Sequence, residues 1–533
     1  ELNAQYLATF QQLLEVALGH MMLPPQALTG RVVTHSASTA GGGGEARTKQ
    51  QTISDEKQDQ RIEWKETVLD CITVLGGARS MELFCWLLQQ QQQLQQQAAV
   101  DTTSSLCQIE CILLCMHIVA PFLSHDEATY VPHVIQFVTT SLPTATAESS
   151  LLPLRVTIIL LYERFAFWLA SNAAAFVNPV LGRLFQELQQ ADTCAAAARA
   201  VMNIFRCCSR VQAQLPIQEL HTVVLQLRNN VSTSSTSDNS SVANKTKGSG
   251  VMLTIESELL LLEAIVVVVA QMPPTESEAG FKTVVLPVLN ALSELVQQHG
   301  VNASAAAAVS IDSRLLTHHI DRITVLFQSY RPPTPAPFIT ELFVSTLPMF
   351  QHILDICPSE KVCEKVCRCY KHTLRNIGKH FAPYLPSMTS HLAQQFSKTP
   401  FPAFLYGAST CFASFSLLEK GAYLEPLYQM LWSLSGTFFT LFPSSSHFEQ
   451  KPDVVEEYYY LMAKALQYSP LPFLQAPAQA STVLQAAVSG LSVHHREAQK
   501  GILLFFERFV QLATFWPDPS NRSSSSSSSS GGG

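Results

Sequence analysis

The chain has 533 residues, which is too long for a single compact hydrophobic core. Hydrophobic residues make up 47% of it and charged residues only 14%, which suits either several compact domains or a solenoid of stacked repeats. The formal net charge of −7 argues against nucleic acid as the main partner, because nucleic-acid-binding surfaces are basic. Since the first residue is Glu1, we interpret the sequence as a fragment or a processed chain.

Apolar residues recur with helical periodicity, and the helical segments form pairs separated by short turns. The predicted pairs are 104–123 with 130–142, 151–172 with 176–190, 192–211 with 216–229, 252–272 with 281–299, 311–330 with 337–357, 363–381 with 384–398, 401–419 with 424–442, and 453–468 with 482–494, before a last helix from Glu497. Where no loop intervenes, successive pairs begin about 40–50 residues apart, the period of HEAT and armadillo repeats. Strand and hairpin signals are scarce. We therefore predict an all-α fold, a right-handed superhelical solenoid of HEAT-type antiparallel helix pairs.

Polar, low-complexity segments divide the predicted repeats and have too little apolar content to repay the entropy of ordering. A run of glutamines at 89–97 is expected to extend a helix into a loop, and these insertions are interpreted as loop growth without a specific function. The predicted organisation is a helical N-terminal segment at 1–33, a flexible linker at 34–61, HEAT-type repeats at 62–229, a disordered Ser/Asn-rich loop at 230–250, HEAT-type repeats at 251–516 and a disordered Ser/Gly tail at 517–533.

The most apolar run, at 259–272, is interrupted by Glu263 and is shorter than the ~20 residues that a membrane span needs. We predict a buried helix there and no membrane partner, and the first residues do not form a signal peptide. The sequence contains 13 cysteines, of which Cys107, Cys111 and Cys115 repeat every four residues and so share one helix face. Cysteines in that pattern are typical core residues of a protein in a reducing compartment, the cytosol or nucleus.

No pattern in the sequence indicates catalysis or a cofactor. The glycines at 41–44 lie in a polar linker without a preceding strand, so they are not a phosphate-binding loop. The histidine pairs at 318–319 and 494–495 lack carboxylate or thiol partners at metal-ligand spacing. We therefore predict that the chain is not an enzyme.

Four cysteines lie close enough together in the sequence to be candidate zinc ligands: Cys357, Cys363, Cys367 and Cys369. Structural zinc sites use closely spaced cysteine pairs on turns, which allow four sulfurs to converge. Cys363 and Cys367 instead lie one turn apart on a predicted helix, and Cys369 points elsewhere. The spacing favours core packing over metal binding.

The same predicted helix carries a row of cations, the basic stripe, spaced by three, three and four residues along one face. Its members are Lys365, Arg368, Lys371 and Arg375. His372 and Lys379 can extend the row. Stacked cations repel one another, so in a negatively charged protein such a row suggests an anionic ligand such as a phosphorylated segment. The alternative is an ordinary solvated face, or a face paired to acids on a neighbouring helix.

Short blocks spread from Ile62 to Phe509 resemble the transportin-SR branch of the importin-β (karyopherin) superfamily and follow that family's order. The blocks are residues 176–182 (FVNPVLG), 195–204 (AAAARAVMNI), 320–327 (IDRITVLF), 404–407 (FLYG), 452–456 (PDVVE) and 495–498 (HREA). The resemblance implies a nuclear import receptor for serine/arginine-rich splicing factors. The chain would correspond to a middle-to-C-terminal fragment of such a receptor.

The resemblance also assigns the basic stripe a role, because its helix corresponds to the arginine-rich helix that grips phosphorylated Arg-Ser repeats in those receptors. Two of the four matching positions, Lys365 and Lys371, are lysines here, and lysine lacks the planar bidentate fork of arginine. Recognition of phosphoserine is therefore expected to be weaker or broader. The acidic residues that should face the arginines of such a ligand are not located by the sequence.

The partners implied by the resemblance are protein cargo, the GTPase Ran in the full-length protein, and possible nucleoporins, in a receptor that shuttles between cytoplasm and nucleus. The main Ran-binding repeats would precede this fragment. Two other interpretations remain open: a bidirectional karyopherin with other cargo, closer to the importin-13 relatives, and a HEAT scaffold of a cytosolic complex that does not depend on Ran.

Overall fold

A computed structural model of the chain describes residues 2–24, 27, 45–96, 102–142, 151–209, 215–232, 253–301, 312–334 and 336–515. Within these ranges the regular secondary structure is helical throughout, in agreement with the all-α prediction. The chain forms two compact units, Glu1–Gln271 (unit one) and Met272–Gly533 (unit two).

Unit one is built from helices that pack mainly against their sequence neighbours. They are α1 Leu2–Met21, α2 Glu45–Leu75, α3 Gly77–Gln96, α4 Thr102–Val119, α5 Val131–Ser141, α6 Leu152–Arg164, α7 Ala166–Ser171, α8 Ala173–Leu188, α9 Cys194–Cys208, α10 Ile217–Ser232 and α11 Ile255–Val269. Helices α4, α6, α9 and α11 pack side by side in one layer, and α5 packs against α8 in a second. The buried side of α9 is rich in alanine, which lets its neighbours approach closely.

Unit two repeats the same arrangement. Its helices are α12 Pro274–Val301, α13 Ser313–Ser329, α14 Pro337–Ile356, α15 Glu360–Ile377, α16 Leu385–Lys398, α17 Pro402–Phe415, α18 Leu424–Leu441, α19 Ser445–Phe448, α20 Pro452–Tyr468, α21 Pro470–Leu474, α22 Pro477–Gly490 and α23 Arg496–Phe515. Helices α13, α15, α17, α20 and α23 form one layer, and α12 with α14 and α16 with α18 contribute to the other. Aromatic rings link successive helices through the core; for example, Phe438 stacks on Tyr458 at 3.8 Å between centroids.

Several predicted boundaries differ from the structure. Helix α2 begins at Glu45, so residues 45–61 are helical and not part of a flexible linker. This segment contains neither Gly nor Pro and is rich in good helix formers, and α2 packs against α1. The predicted helix 151–172 is broken into α6 and α7. The glutamine run extends α3 to Gln96, as expected. Residues 34–44 of the predicted linker, most of the predicted loop (233–250) and the predicted tail (517–533) lie outside the described residues.

Two helical stretches, Thr102–Phe122 and Pro274–Gln297, are long and apolar enough to cross a membrane, and a bent pair, Asp59–Leu75 with Gly77–Gln95, also meets that test. No segment of the sequence was predicted to span a membrane, so these helices differ from that prediction by length and composition. In the structure Thr102–Phe122 is 67% buried within the helical array, and its Glu110 forms an ion pair with Arg61. Packing among helices therefore accounts for the apolar composition of α4.

Candidate functional site

Helix α15, which carries the basic stripe, is strongly amphipathic. One side fills the core of unit two, and its buried residues are Val362, Cys363, Val366, Cys367, Cys369, Tyr370, Thr373, Leu374 and Ile377. The helix ends at Gly378, whose φ of 59° lies in the left-handed region that glycine adopts without strain. Because the core side is fixed by this packing, the cations of the stripe are held on the opposite, partly exposed side.

The first cation of the stripe is paired with an acid on the neighbouring helix. Lys365 Nζ lies 2.8 Å from Oδ2 of Asp321 on α13, and the two side chains are 29% and 17% exposed. At Lys365, therefore, the stripe matches the alternative interpretation, a face paired to acids on a neighbouring helix. A half-buried ion pair of this kind reduces the charge that Lys365 offers to a ligand.

Lys371 contacts an aromatic residue of the next helix. Its Nζ donates a hydrogen bond to the hydroxyl of Tyr406 on α17 and lies 5.0 Å from the centroid of that ring. These two contacts hold the side chain of Lys371 in place without pairing it to a carboxylate. Tyr406 lies in the block at 404–407, but its contact with Lys371 is not predicted by the sequence, because a contact between two helices leaves no periodic signal.

Arg368 and Arg375 are exposed, and neither forms an ion pair with the part of the chain that the structure describes. They lie seven residues apart, two helical turns, which places both guanidinium groups on the same side of α15. Their donors are therefore available for an external acceptor, and guanidinium can bind a phosphate or carboxylate with two parallel hydrogen bonds.

The electrostatic effect of these cations is visible at His372, the residue expected to extend the stripe. Burial, together with the nearby charges of Lys371, Arg368, Arg375 and Arg331, lowers the pKa of His372 to about 4. The imidazole is therefore neutral at pH 7 and adds no charge to the stripe. Lys379, the other expected extension, is exposed just after the end of α15.

The four cysteines considered for zinc do not gather at one point. Cys363, Cys367 and Cys369 are buried, whereas Cys357 is only partly buried. Burial raises the pKa of Cys363 to about 12 and that of Cys369 to about 11, so both are neutral thiols at pH 7. Within the described residues, no group of three or more His, Cys, Asp or Glu side chains is placed to hold a metal ion.

Comparison with known proteins identifies relatives of this chain. Residues 336–442, which run from the residue before α14 to the residue after α18, match a family described as the Transportin-3/Importin-13 fourth TPR domain. The chain is 24% identical over 454 residues to Transportin MOS14 of Arabidopsis thaliana, a match that covers 84% of this chain and 43% of the relative. It is 23% identical to human Importin-13 over 180 residues, which cover 34% of this chain and 18% of that protein.

The fold agrees with these sequence matches. A solved structure described as importin-13 in its cytosolic state superimposes with a TM-score of 0.72 at 16% identity, over 96% of this chain and 52% of that one. The prediction of an all-α helical-repeat solenoid is thereby confirmed. The names of the relatives are those of transport receptors, in agreement with the prediction that the chain is not an enzyme. The chain spans less than half of the length of Transportin MOS14. The chain is therefore similar to proteins named importin-13 and transportin, in sequence and in fold.

Proposed function

We propose that this chain is the cargo-binding part of a nuclear transport receptor of the importin-β type that moves between cytoplasm and nucleus. The matches to proteins named transportin and importin-13, one of them over 84% of the chain, support this proposal. The helical-repeat fold supports it as well, because stacked helix pairs present extended surfaces suited to protein ligands.

The proposed cargo is a phosphorylated Arg-Ser-rich protein, bound at Lys365, Arg368, Lys371 and Arg375. The observation that carries this assignment is the exposure of Arg368 and Arg375 without an ion pair to the described residues, on a helix inside the matched transportin and importin-13 domain. Seven residues of helix rise about 10 Å. Phosphoserines two to four residues apart in an extended peptide are separated by about 7–13 Å, within reach of two long arginine side chains.

Asp321 supplies a feature that such a ligand needs. A phosphorylated Arg-Ser segment alternates negative and positive groups, so its arginines require acids near the stripe. Asp321 lies beside Lys365, and Glu364 is exposed on α15 itself. These carboxylates are the proposed partners of the ligand arginines, with the phosphates bound at Arg368, Lys371 and Arg375.

The test is a binding titration of labelled Arg-Ser peptide, phosphorylated or not, with the chain and with Arg368→Glu combined with Arg375→Glu. We expect tight binding only of the phosphorylated peptide, weakened by added salt and by at least tenfold in the double variant. The matched control is Lys451→Glu with Arg496→Glu, the same charge change at exposed positions of unit two. Equal binding by the stripe variant and the control variant would refute the cargo site.

Ran dependence and the direction of transport are proposed only for the full-length protein, with nucleoporins as further possible partners. Addition of Ran-GTP to the full-length protein with bound cargo is expected to release the cargo. If phosphopeptide binds but Ran-GTP has no effect, the cytosolic scaffold interpretation replaces the receptor. If Ran-GTP releases this cargo and strengthens the binding of another, the bidirectional karyopherin is favoured.

A further inference from the structure

Unit one contains a second candidate site, a cleft far in sequence from the basic stripe. A cavity of about 640 Å³ lies where the end of α4 and its following turn meet the break between α6 and α7 and one side of α9. We call it the α9 cleft. Every residue that lines it belongs to Glu1–Gln271, so the cleft is complete within unit one.

The apolar end of the α9 cleft exists because the chain bends there. Helix α6 ends at Arg164 and α7 begins at Ala166, which directs Phe167 outward with 65% of its surface exposed. The next residue, Trp168, is buried and donates from Nε1 to the carbonyl oxygen of Glu127 at 2.5 Å. An aromatic ring that is exposed at the edge of a cleft, beside a firmly anchored tryptophan, is suited to pack against an apolar side chain of a partner.

The opposite side of the cleft is cationic. Arg199 and Arg206 lie seven residues apart on one face of α9, and each is 53% exposed. Arg199 Nε is 3.4 Å from Glu163, and Arg206 pairs through one terminal nitrogen with Glu263. The bond to Glu163 uses only Nε, so the terminal amino groups of Arg199 remain for another acceptor.

The two acids lie deeper than the arginines that they contact. Glu163 is 20% exposed and Glu263 is 24% exposed, whereas both guanidinium groups reach into solvent. The acids therefore orient the arginines without covering their outer donors. Arg164, also exposed, adds a third guanidinium and forms no ion pair with the described residues.

His117, at the floor of the cleft, contributes no charge at neutral pH. Burial lowers its pKa to about 4, and the charges of Arg164 and Lys65 act in the same direction. Its Nδ1 is buried and has no hydrogen-bond partner among the residues that the structure describes. Three guanidinium groups thus face two carboxylates, and the cleft has an excess of positive charge in a protein whose net charge is −7.

We propose that the α9 cleft binds a short acidic peptide segment that carries an aromatic or large aliphatic side chain. The apolar side chain packs against Phe167, and the flanking carboxylates accept hydrogen bonds from Arg164, Arg199 and Arg206. A peptide fits the cleft better than single-stranded RNA, because RNA-binding grooves offer successive aromatic rings that stack separate bases. The two exposed rings of this cleft, Phe167 and His125, instead pack against each other with their centroids 5.8 Å apart. The partner differs in chemistry from Arg-Ser cargo and binds in the other unit, so this site goes beyond the proposed function.

The experiment uses the full chain and a fluorescein-labelled peptide, Glu-Asp-Glu-Phe-Glu-Asp-Glu, titrated by fluorescence anisotropy. We expect saturable binding that weakens with salt and is weakened at least tenfold by Arg199→Gln with Arg206→Gln, by Phe167→Ala, and by replacing the peptide's Phe with Ala. The glutamine variants keep hydrogen-bonding side chains beside Glu163 and Glu263. Arg79→Gln, an exposed arginine on α3, is the matched control and should bind as the original chain does.

The outcomes separate this proposal from its alternatives. Binding of phosphorylated Arg-Ser peptide is measured on the same variants and should not change. The proposal of the α9 cleft and the proposal of the cargo site can therefore be refuted independently of each other. The proposal is wrong if the acidic peptide does not bind, if the same peptide with Gln and Asn in place of its acids binds equally well, or if the cleft variants bind like Arg79→Gln. Displacement of the peptide by oligouridine at lower concentration than by unlabelled peptide would instead assign the cleft to RNA.

Discussion

At the scale of single residues, the basic stripe is less uniform than its spacing suggests. Arg368 and Arg375 are exposed, whereas Lys365 is paired with Asp321 and Lys371 is held by Tyr406. The pairing cannot be read from the sequence, because Asp321 is 44 residues from Lys365 and belongs to another helix. Periodicity locates a residue on its own helix but does not show what the neighbouring helix presents to it.

Asp321→Asn is expected to weaken binding of the proposed phosphopeptide, because it removes a carboxylate that is proposed to contact the ligand arginines. Half-buried surface ion pairs contribute about 0.5–1 kcal/mol, so affinity should fall about two- to fivefold. Asp355→Asn, which removes the carboxylate of the Lys398–Asp355 pair, is the control and should leave affinity unchanged. Stronger binding by the Asp321 variant would mean that Asp321 competes with the ligand for Lys365 and is not a partner of the ligand arginines.

A buried network in unit one is expected to be important for stability. Arg155 donates to Glu187 and to Thr193, and the two charged side chains are only 5% and 3% exposed. Glu187→Ala leaves a buried guanidinium without its partner and should lower the free energy of unfolding by about 3–5 kcal/mol. Urea denaturation measures this effect. Glu163→Ala, at a half-exposed pair with Arg199, should cost less than about 1 kcal/mol.

At the scale of helices, small residues decide how closely two elements approach. Gly501 on α23 faces the backbone of α20, where an added Cβ would lie 2.8 Å from the carbonyl oxygen of Glu456. The apolar pattern of the sequence predicts both helices but not this contact, because glycine contributes nothing to hydrophobic periodicity. The predicted linker is a second case: polar composition suggested disorder at 45–61, yet helix-forming residues extend α2 through it.

Two glycine substitutions in unit two are expected to act in opposite directions. Gly501→Ala forces α20 and α23 apart and should lower the free energy of unfolding by about 1–3 kcal/mol. Gly436→Ala, inside α18 with open space around the new methyl group, should raise it by about 0.5–1 kcal/mol, because alanine favours helix more than glycine. Urea denaturation of both variants tests the pair. A stabilised Gly501 variant would contradict the close contact between these helices.

At the scale of the whole molecule, each unit contains a histidine whose protonation opposes folding. The pKa values of His117 and His372 are lowered to about 4, first by burial and then by neighbouring cations, from an ordinary value near 6.5. Between these values the unfolded chain binds more protons than the folded chain. The two histidines therefore leave the free energy of unfolding at its full value above pH 6.5 and reduce it as pH falls towards 4. Glu457, whose pKa burial raises to about 7, acts in the opposite direction.

The free energy of unfolding is thus expected to fall more steeply between pH 6.5 and 4 in the original chain than in His117→Gln with His372→Gln. Urea denaturation at half-unit steps of pH measures both slopes. Identical slopes would show that folding does not lower the pKa of either histidine. His495→Gln, at an exposed histidine, is the control and should not change the slope.

The sequence by itself determined the all-α class, the repeat period and the helix that carries the basic stripe, because all three depend on residue periodicity within single helices. It also placed Cys107, Cys111 and Cys115 in the core, where they are buried. The tertiary structure decided which cations remain available and how closely α20 and α23 pack. It alone located the α9 cleft, whose walls come from α4, α6, α7 and α9. Those features depend on contacts between residues far apart in the chain, which a pattern along one helix does not record.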